Sequence, residues 1–354
     1  MAAGSAGATL LHALFAGSMP ALATLGLWLG GAWIFLPVLW FSLIAAMLDA
    51  VVPEDRRFAV PEGGLGHRGL VWWVFPPLLA LLLYGLHLVS IGGFVWWEVV
   101  GVVLALGLVN GGIGLTAAHE LIHRRAAWER GLGVALSSLV LWALFRIEHV
   151  HGHHRTVGTP NDPTTAKPGE SLYAYLPRSI LGSIREAWTI EVERLAKQGR
   201  PVMGAGNRML WYAAIHLASV LAVWALFGPL ALLVFLGQAL VAVQLLQSTG
   251  YIEHYGLARG PNGRGGWTRM GPAHSWNSAH RLTNWMTFNL GLHAEHHTWP
   301  AKPFTELVDD AGAMRMPLGY PGMVLLAMVP PLWFRVMDPR LRAAGHGVNG
   351  SLPD

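Results

Sequence analysis

Histidine is the residue type in this chain whose spacing could do chemistry: 17 occur, and ten of them fall in four short stretches. The first, His119-Glu120-Leu121-Ile122-His123, sets two imidazoles four residues apart. On a helix that spacing puts both rings on one face, within reach of a single metal ion. The second, Glu148-His149-Val150-His151-Gly152-His153-His154, repeats it. Helical geometry predicts that His149 and His153 share a face, with His154 about 100° round and His151 off that face, where it is expected to be solvated or to support a ligand from behind. In the third, 293–297, the rings of His293, His296 and His297 converge if the segment is helical. His254, in the stretch Tyr251 to Gly256, joins them because it follows an apolar segment at the same depth as His119.

These nine imidazoles, His119, His123, His149, His153, His154, His254, His293, His296 and His297, are too many for one metal. They suit two, with positions left open for a small ligand. Imidazole suits iron, zinc and copper alike, so ligand type leaves the metal open. The absence of cysteine excludes disulfides, iron–sulfur clusters, thiolate-bound haem and cysteine-held zinc. A carboxylate stands beside a histidine in each stretch, at Glu120, Glu148, Glu253 and Glu295. The expected role for these four is to accept the second ring N–H of a ligating histidine. Direct coordination by one of them, or salt bridging with Arg124, Arg125 or Arg146, are the alternatives. His274 and His280, six residues apart, lie about 120° apart on a helix and are left out of the ligand set.

The elements that must carry these residues are apolar. With 53% hydrophobic and 12% charged residues the chain cannot be an ordinary soluble enzyme, in which about a quarter of residues are charged. Six stretches reach the length of about 20 apolar residues that a spanning helix needs: Leu10 to Gly30, Trp33 to Val51, Leu70 to Ile91, Phe94 to Ala118, Met209 to Phe227 and Leu230 to Gln247. They pair into three hairpins with turns around Gly31, Gly92 and Gly228. The shorter apolar stretch Gly131 to Phe145 is expected to re-enter on the side it left. The expected fold is therefore an all-α polytopic membrane protein with six transmembrane helices, a single domain over 1–342 and a disordered tail over 343–354.

With six spans all 24 Lys and Arg residues fall on one side, which places that side, the histidines and both termini in the cytoplasm. No Lys or Arg precedes Arg56, so the first helix reads as a span rather than a basic-headed signal peptide. The sequence pI of about 9.6 follows from this topology, and no nucleic-acid motif accompanies it. An apolar substrate would enter from lipid between the helices. Trp33, Phe35, Trp40 and Phe41 of the second span are candidates to set the length of its path, although an aromatic stripe there also serves packing.

The motifs HELIHR (119–124), EHVHGHH (148–154), PNDPTTAKPGES (160–171), YIEHYGL (251–257), HSWNS (274–278) and the segment from Gly319 to VMDPR at Arg340 resemble the membrane-bound non-haem di-iron alkane monooxygenases. That family lies within the histidine-box group of desaturases and hydroxylases. The resemblance implies two iron ions held by the nine histidines above, with O₂ as co-substrate. It implies hydroxylation of an unactivated methyl group, that of a medium-chain n-alkane or, as the alternative, of a methyl-arene such as a xylene. It also implies a rubredoxin- or ferredoxin-type electron carrier with its reductase, since the chain shows no flavin or nicotinamide motif. Gly250 stands where the family usually has Asn, and Leu292-His293-Ala294-Glu295-His296-His297 replaces an Arg-His-Ser-Asp-His-His form. Both departures keep the ligands and bear on the substrate. The rivals are a membrane zinc protease with Glu120 as general base, which leaves the other stretches unused, and a metal carrier or sensor, which would bury ionisable residues deep in several spans.

Overall fold

The computed structural model describes residues 2–54 and 65–345. Residues 346–354 of the expected tail and Arg56 and Arg57 of the first basic loop lie outside them. In chain order the helices that position the site are α1 (Ala2–Leu29), α2 (Gly31–Val51), α3 (Gly66–Ile91), α4 (Trp96–Ile122), α5 (Ala127–Ser138), α6 (145–156), α7 (Leu172–Lys197), α8 (208–227), α9 (229–254), α10 (Arg281–Met286), α11 (His293–Thr298), α12 (Tyr320–Ala327) and α13 (Pro330–Ala343). The sheet is minimal: Trp276–Asn277 pairs in parallel with Met314–Arg315.

Among the described residues, five helices are long and apolar enough to cross a membrane. The last of these is a 47-residue stretch, Arg208–His254, which at 1.5 Å per residue would be about 70 Å long, more than twice the hydrocarbon thickness. It is two arms. The break is at Gly228 (φ 81°, ψ −178°), and Met209 and Tyr212 share a packed cluster with Val243 and Leu246, equally far along the other side of it. The arms α8 and α9 therefore fold back as a hairpin at the turn the sequence indicates. Gly30 (φ 70°, ψ −173°) and Gly92 (φ 88°, ψ −173°) close the other two turns with the same backbone geometry, which only glycine adopts readily. Helices α12 and α13 reach spanning length only together, and they meet at a bend of 117°.

Helices α4 and α9 pack in parallel through small residues. A Cβ on Gly107 would sit 2.5 Å from Cβ of Val241, and one on Gly111 would sit 2.8 Å from Cα of Ala242, so backbone meets backbone. Such closeness supplies dispersion contacts where lipid removes the hydrophobic drive between helices. Helix α5 has 12 residues, about 18 Å, too short to cross. The chain turns over 139–144 and returns beside the helix it left, bringing the His149 ring within 5.1 Å of the His123 ring. The turn is buried, and a backbone carbonyl that the break leaves without a helical partner is satisfied by side chains: Gln238 Nε2 donates to the Leu139 carbonyl (2.9 Å), while Asn110 Nδ2 donates to Gln238 Oε1 (3.1 Å). An unpaired carbonyl at that depth would be costly.

Candidate metal centre

Four helix ends converge at one end of the bundle: the last turns of α4 and α9, the segment α6, and α11. The chain brings all nine sequence-selected imidazoles together there, in two groups. His119, His123, His149, His154 and His296 form one, and His153, His254, His293 and His297 the other, with the candidate ligand atoms of each group within 4.8 Å of one another. Excluded at the sequence level, His151 is exposed, and the His280 ring faces Ser278 and Glu54.

The partition corrects the sequence-based geometry of the second stretch. His149–His153 is a π-helical turn. Its i→i+5 bonding swings His154, not His153, onto the face of His149. The Nε2 atoms of His149 and His154 are 3.1 Å apart, while the His153 ring packs 4.9 Å from that of His254 in the other group. The third stretch divides as well. His293 and His297, four apart, keep their Nε2 atoms 2.9 Å apart, whereas His296 points to His154 (3.1 Å). Each adjacent pair, His153-His154 and His296-His297, thus contributes one ring to each group.

The donor set fits metal ions. Nitrogen ligands about 2.1 Å from a metal and at right angles lie about 3 Å apart, which is the spacing seen among these Nε2 atoms. The Nε2 atoms of His119 and His123 are buried without a hydrogen-bond partner, as nitrogens reserved for a metal would be. Burial, reinforced by neighbouring imidazoles, pushes His149, His154, His293, His296 and His297 well below the ordinary value of 6.5. They are neutral at pH 7, which is the ligating form.

The four glutamates separate by what they touch. Glu120 takes the Arg124 guanidinium (2.5 Å) and the Phe304 N–H (3.0 Å); Glu295 takes the Lys302 ammonium (2.5 Å) and the Val308 N–H. Expected to accept a ring N–H, these two instead anchor the 302–308 segment. A residue next to a histidine on a helix points about 100° away from it and cannot fold back onto that ring. Glu253 Oε2 lies 3.2 Å from His293 Nε2, and the Tyr320 hydroxyl donates to its other oxygen (2.6 Å). Glu148 accepts from Ser183 Oγ (3.2 Å). Burial, and then the negative charges of Glu186 and Asp162, push its carboxyl well above the ordinary range. The carboxylate on an outward ring nitrogen is Asp162, whose Oδ2 is 2.9 Å from His153 Nδ1. It lies in the PNDPTT motif, where its proximity to the second stretch was a usable signal. Tyr320, far along the chain, offered none.

Beside the histidines lies a pocket that opens to the outside, with about 910 Å³ of empty space when that opening is counted. His119, His149, His153 and His293 form part of its wall with Glu148 and Glu253, and Phe41, Leu115, Leu245, Met286, Leu290 and Val324 line it with apolar side chains. Of the four aromatic candidates only Phe41 is in this wall; Phe35 stacks on Trp97 (6.3 Å), and Trp33 is 57% exposed.

Comparison with known proteins agrees with this arrangement. A sequence profile of the fatty acid desaturase family matches residues 94–324, from the fourth span past His297, the end of the third histidine stretch. Alkane 1-monooxygenase 1 of Pseudomonas aeruginosa is 40% identical over 322 residues, covering 87% of this chain and 84% of the relative. An alkane 1-monooxygenase of Pseudomonas putida is 37% identical, covering 91% and 83%. The hydroxylase component of a xylene/toluene monooxygenase of Pseudomonas putida is 28% identical, covering 90% and 85%. On the profile, and on identities this high over nearly the whole length of the relatives, the chain belongs to the fatty acid desaturase family and, within it, to the alkane 1-monooxygenases.

Proposed function

We propose that this protein is a membrane-bound di-iron monooxygenase that hydroxylates the terminal methyl group of a medium-chain n-alkane to a primary alcohol. The observation that carries the reading is the pair of histidine groups opening onto an apolar pocket. One oxygen atom of O₂ enters the C–H bond and the other leaves as water, consuming two electrons and two protons. Two irons, held by the five and by the four imidazoles, supply the reductive activation of O₂ when bound.

The chain's own residues have three tasks. The imidazoles hold the metals in neutral form. The wall from Phe41 to Val324 takes an unfunctionalised hydrocarbon by shape and apolar contact, and excludes water from the oxidant. Asp162 and Tyr320 orient His153 and Glu253.

The proposed topology counts α8 and α9 as separate spans, six in all, with α12 and α13 not crossing. The metal groups and both termini face the cytoplasm, since the basic residues gather on that side. A rubredoxin- or ferredoxin-type carrier with its reductase brings the electrons there. The relatives' greater identity favours the alkane over a methyl-arene, and a zinc protease is disfavoured because the Glu120 carboxylate is engaged by Arg124.

The test is metal analysis of the detergent-purified protein, then product analysis with octane and with a xylene in the presence of carrier and reductase. Two irons per chain and 1-octanol support the reading. One zinc without iron overturns it, and a benzylic alcohol alone moves the substrate to the arenes.

A further inference from the structure

Helix α7 buries polar groups and exposes an apolar stripe. The side packed against the second histidine stretch carries polar groups. Ser183 Oγ donates to Glu148, and the Tyr175 hydroxyl donates to the Thr164 carbonyl (3.0 Å). The opposite side is apolar and exposed: Tyr173 by 58%, Leu181 by 53%, Ile184 by 39% and Trp188 by 37%. With Pro177, these residues recur at spacings of three and four, which confines them to roughly a quarter of the helix circumference. Arg185 lies at the edge of this stripe. A helix bathed in water would present its polar side outward.

We propose that α7 lies in the headgroup layer of the bilayer with this stripe dipped into lipid, so that the partner of the exposed face is the membrane surface. Both ends of the helix are tied to elements at that level. Near its C-terminus Glu191 accepts from the N–H (2.6 Å) and guanidinium (2.7 Å) of Arg208, the first residue of α8. Trp211 and Ile215 on α8 are exposed, as lipid-facing residues of a span are. Near its N-terminus the Tyr173 hydroxyl donates to the Met328 carbonyl (2.7 Å), in the bend between α12 and α13 where Met328, Val329 and Leu332 are exposed. The stripe thus continues the lipid-facing surface of α8 to a second apolar patch.

Its chemistry is interfacial. Trp188 and Tyr173 suit the headgroup level, and Arg185 at the margin can reach phosphates while its stem stays in the apolar layer. A stripe with one cation at its margin offers little to an acidic electron carrier. The helix that meets lipid also holds Glu148 through Ser183 and the Asp162 loop through Tyr175, so the bilayer would support the second histidine stretch from outside.

The absence of native cysteine makes a single introduced one a unique label site. Leu181→Cys and Ile184→Cys, each spin-labelled, would be measured in nanodiscs holding one chain each and no electron carrier. Glu193→Cys, at an exposed polar position of the same helix, is the reference. The expected result is that O₂, which partitions into lipid, relaxes the Leu181 and Ile184 labels several-fold more than a water-soluble nickel chelate does, with the order reversed at Glu193. Equal nickel access at all three sites overturns the proposal. So does protection that appears only when two chains share a disc or when the carrier is added. Independently of labelling, Trp188→Phe should lower the share of fluorescence that brominated lipid quenches, and an unchanged share counts against lipid contact.

Discussion

Nδ1 of His153 lies 2.9 Å from Oδ2 of Asp162, nine residues further along the chain. The loop after the second histidine stretch thus turns back to orient a ring of that stretch. The hydroxyls of Thr165 (2.6 Å) and Thr164 (2.7 Å) and the Thr164 N–H (2.9 Å) hold the carboxylate in place. Burial alone would raise the Asp162 carboxyl, but the adjacent His153 ring and the hydrogen bonds from Thr165 and from the Thr164 N–H outweigh it and bring it down to about 2.

Asp162→Asn keeps the shape and removes the charge that makes His153 a better donor. Loss of such an outer partner costs on the order of 10- to 100-fold in metal affinity. Chelator titration of the purified variant should therefore strip one metal at lower chelator concentration than in the wild type, with the helical circular dichroism unchanged. A titration that overlays the wild type would show that His153 needs no carboxylate.

The division of neighbouring histidines between groups predicts an unusual pairing of double variants. His154→Ala with His296→Ala removes two ligands from one group and should leave the metal of the other. His296→Ala with His297→Ala, adjacent in sequence, removes one ligand from each and should weaken both. Iron per chain after gel filtration distinguishes the two. Equal losses would mean that the groups act as one site.

Glu186, half-buried on α7 and facing Gly152, has its carboxyl raised from 4.5 to about 8 by burial and by the negative charge of Asp162. The unfolded chain releases this proton once the pH passes 4.5, whereas the folded chain holds it until about 8. The native state therefore loses stability as pH rises through that window. Glu186→Gln cannot titrate, so its Tm should fall less than that of the wild type between about pH 5 and pH 8. A parallel pair of Tm profiles would refute the raised value.

Phe41→Ala removes a ring from the pocket wall. Competition between octane and dodecane should shift toward the longer alkane, with total turnover retained if the ring does no more than limit length. An unchanged product ratio would place the end of the substrate path elsewhere.

The sequence by itself determined the features that depend on local rules. Apolar runs of spanning length follow from composition, and three hairpin turns were legible around Gly31, Gly92 and Gly228, with the backbone that a side chain would forbid found at Gly30, Gly92 and Gly228. The nine histidines were legible because their spacing repeats and because the company of the other stretches lifts His254 above chance. The tertiary structure decided how those rings are shared. A π-helical turn at His149–His153 adds a residue to one turn, and spacing rules built on 3.6 residues per turn then assign His153 and His154 to the wrong neighbours. It also decided which carboxylates serve the rings. Adjacency on a helix points Glu120 away from His119 toward Arg124, while Asp162 and Tyr320 reach the site through loops and packing that no local pattern encodes.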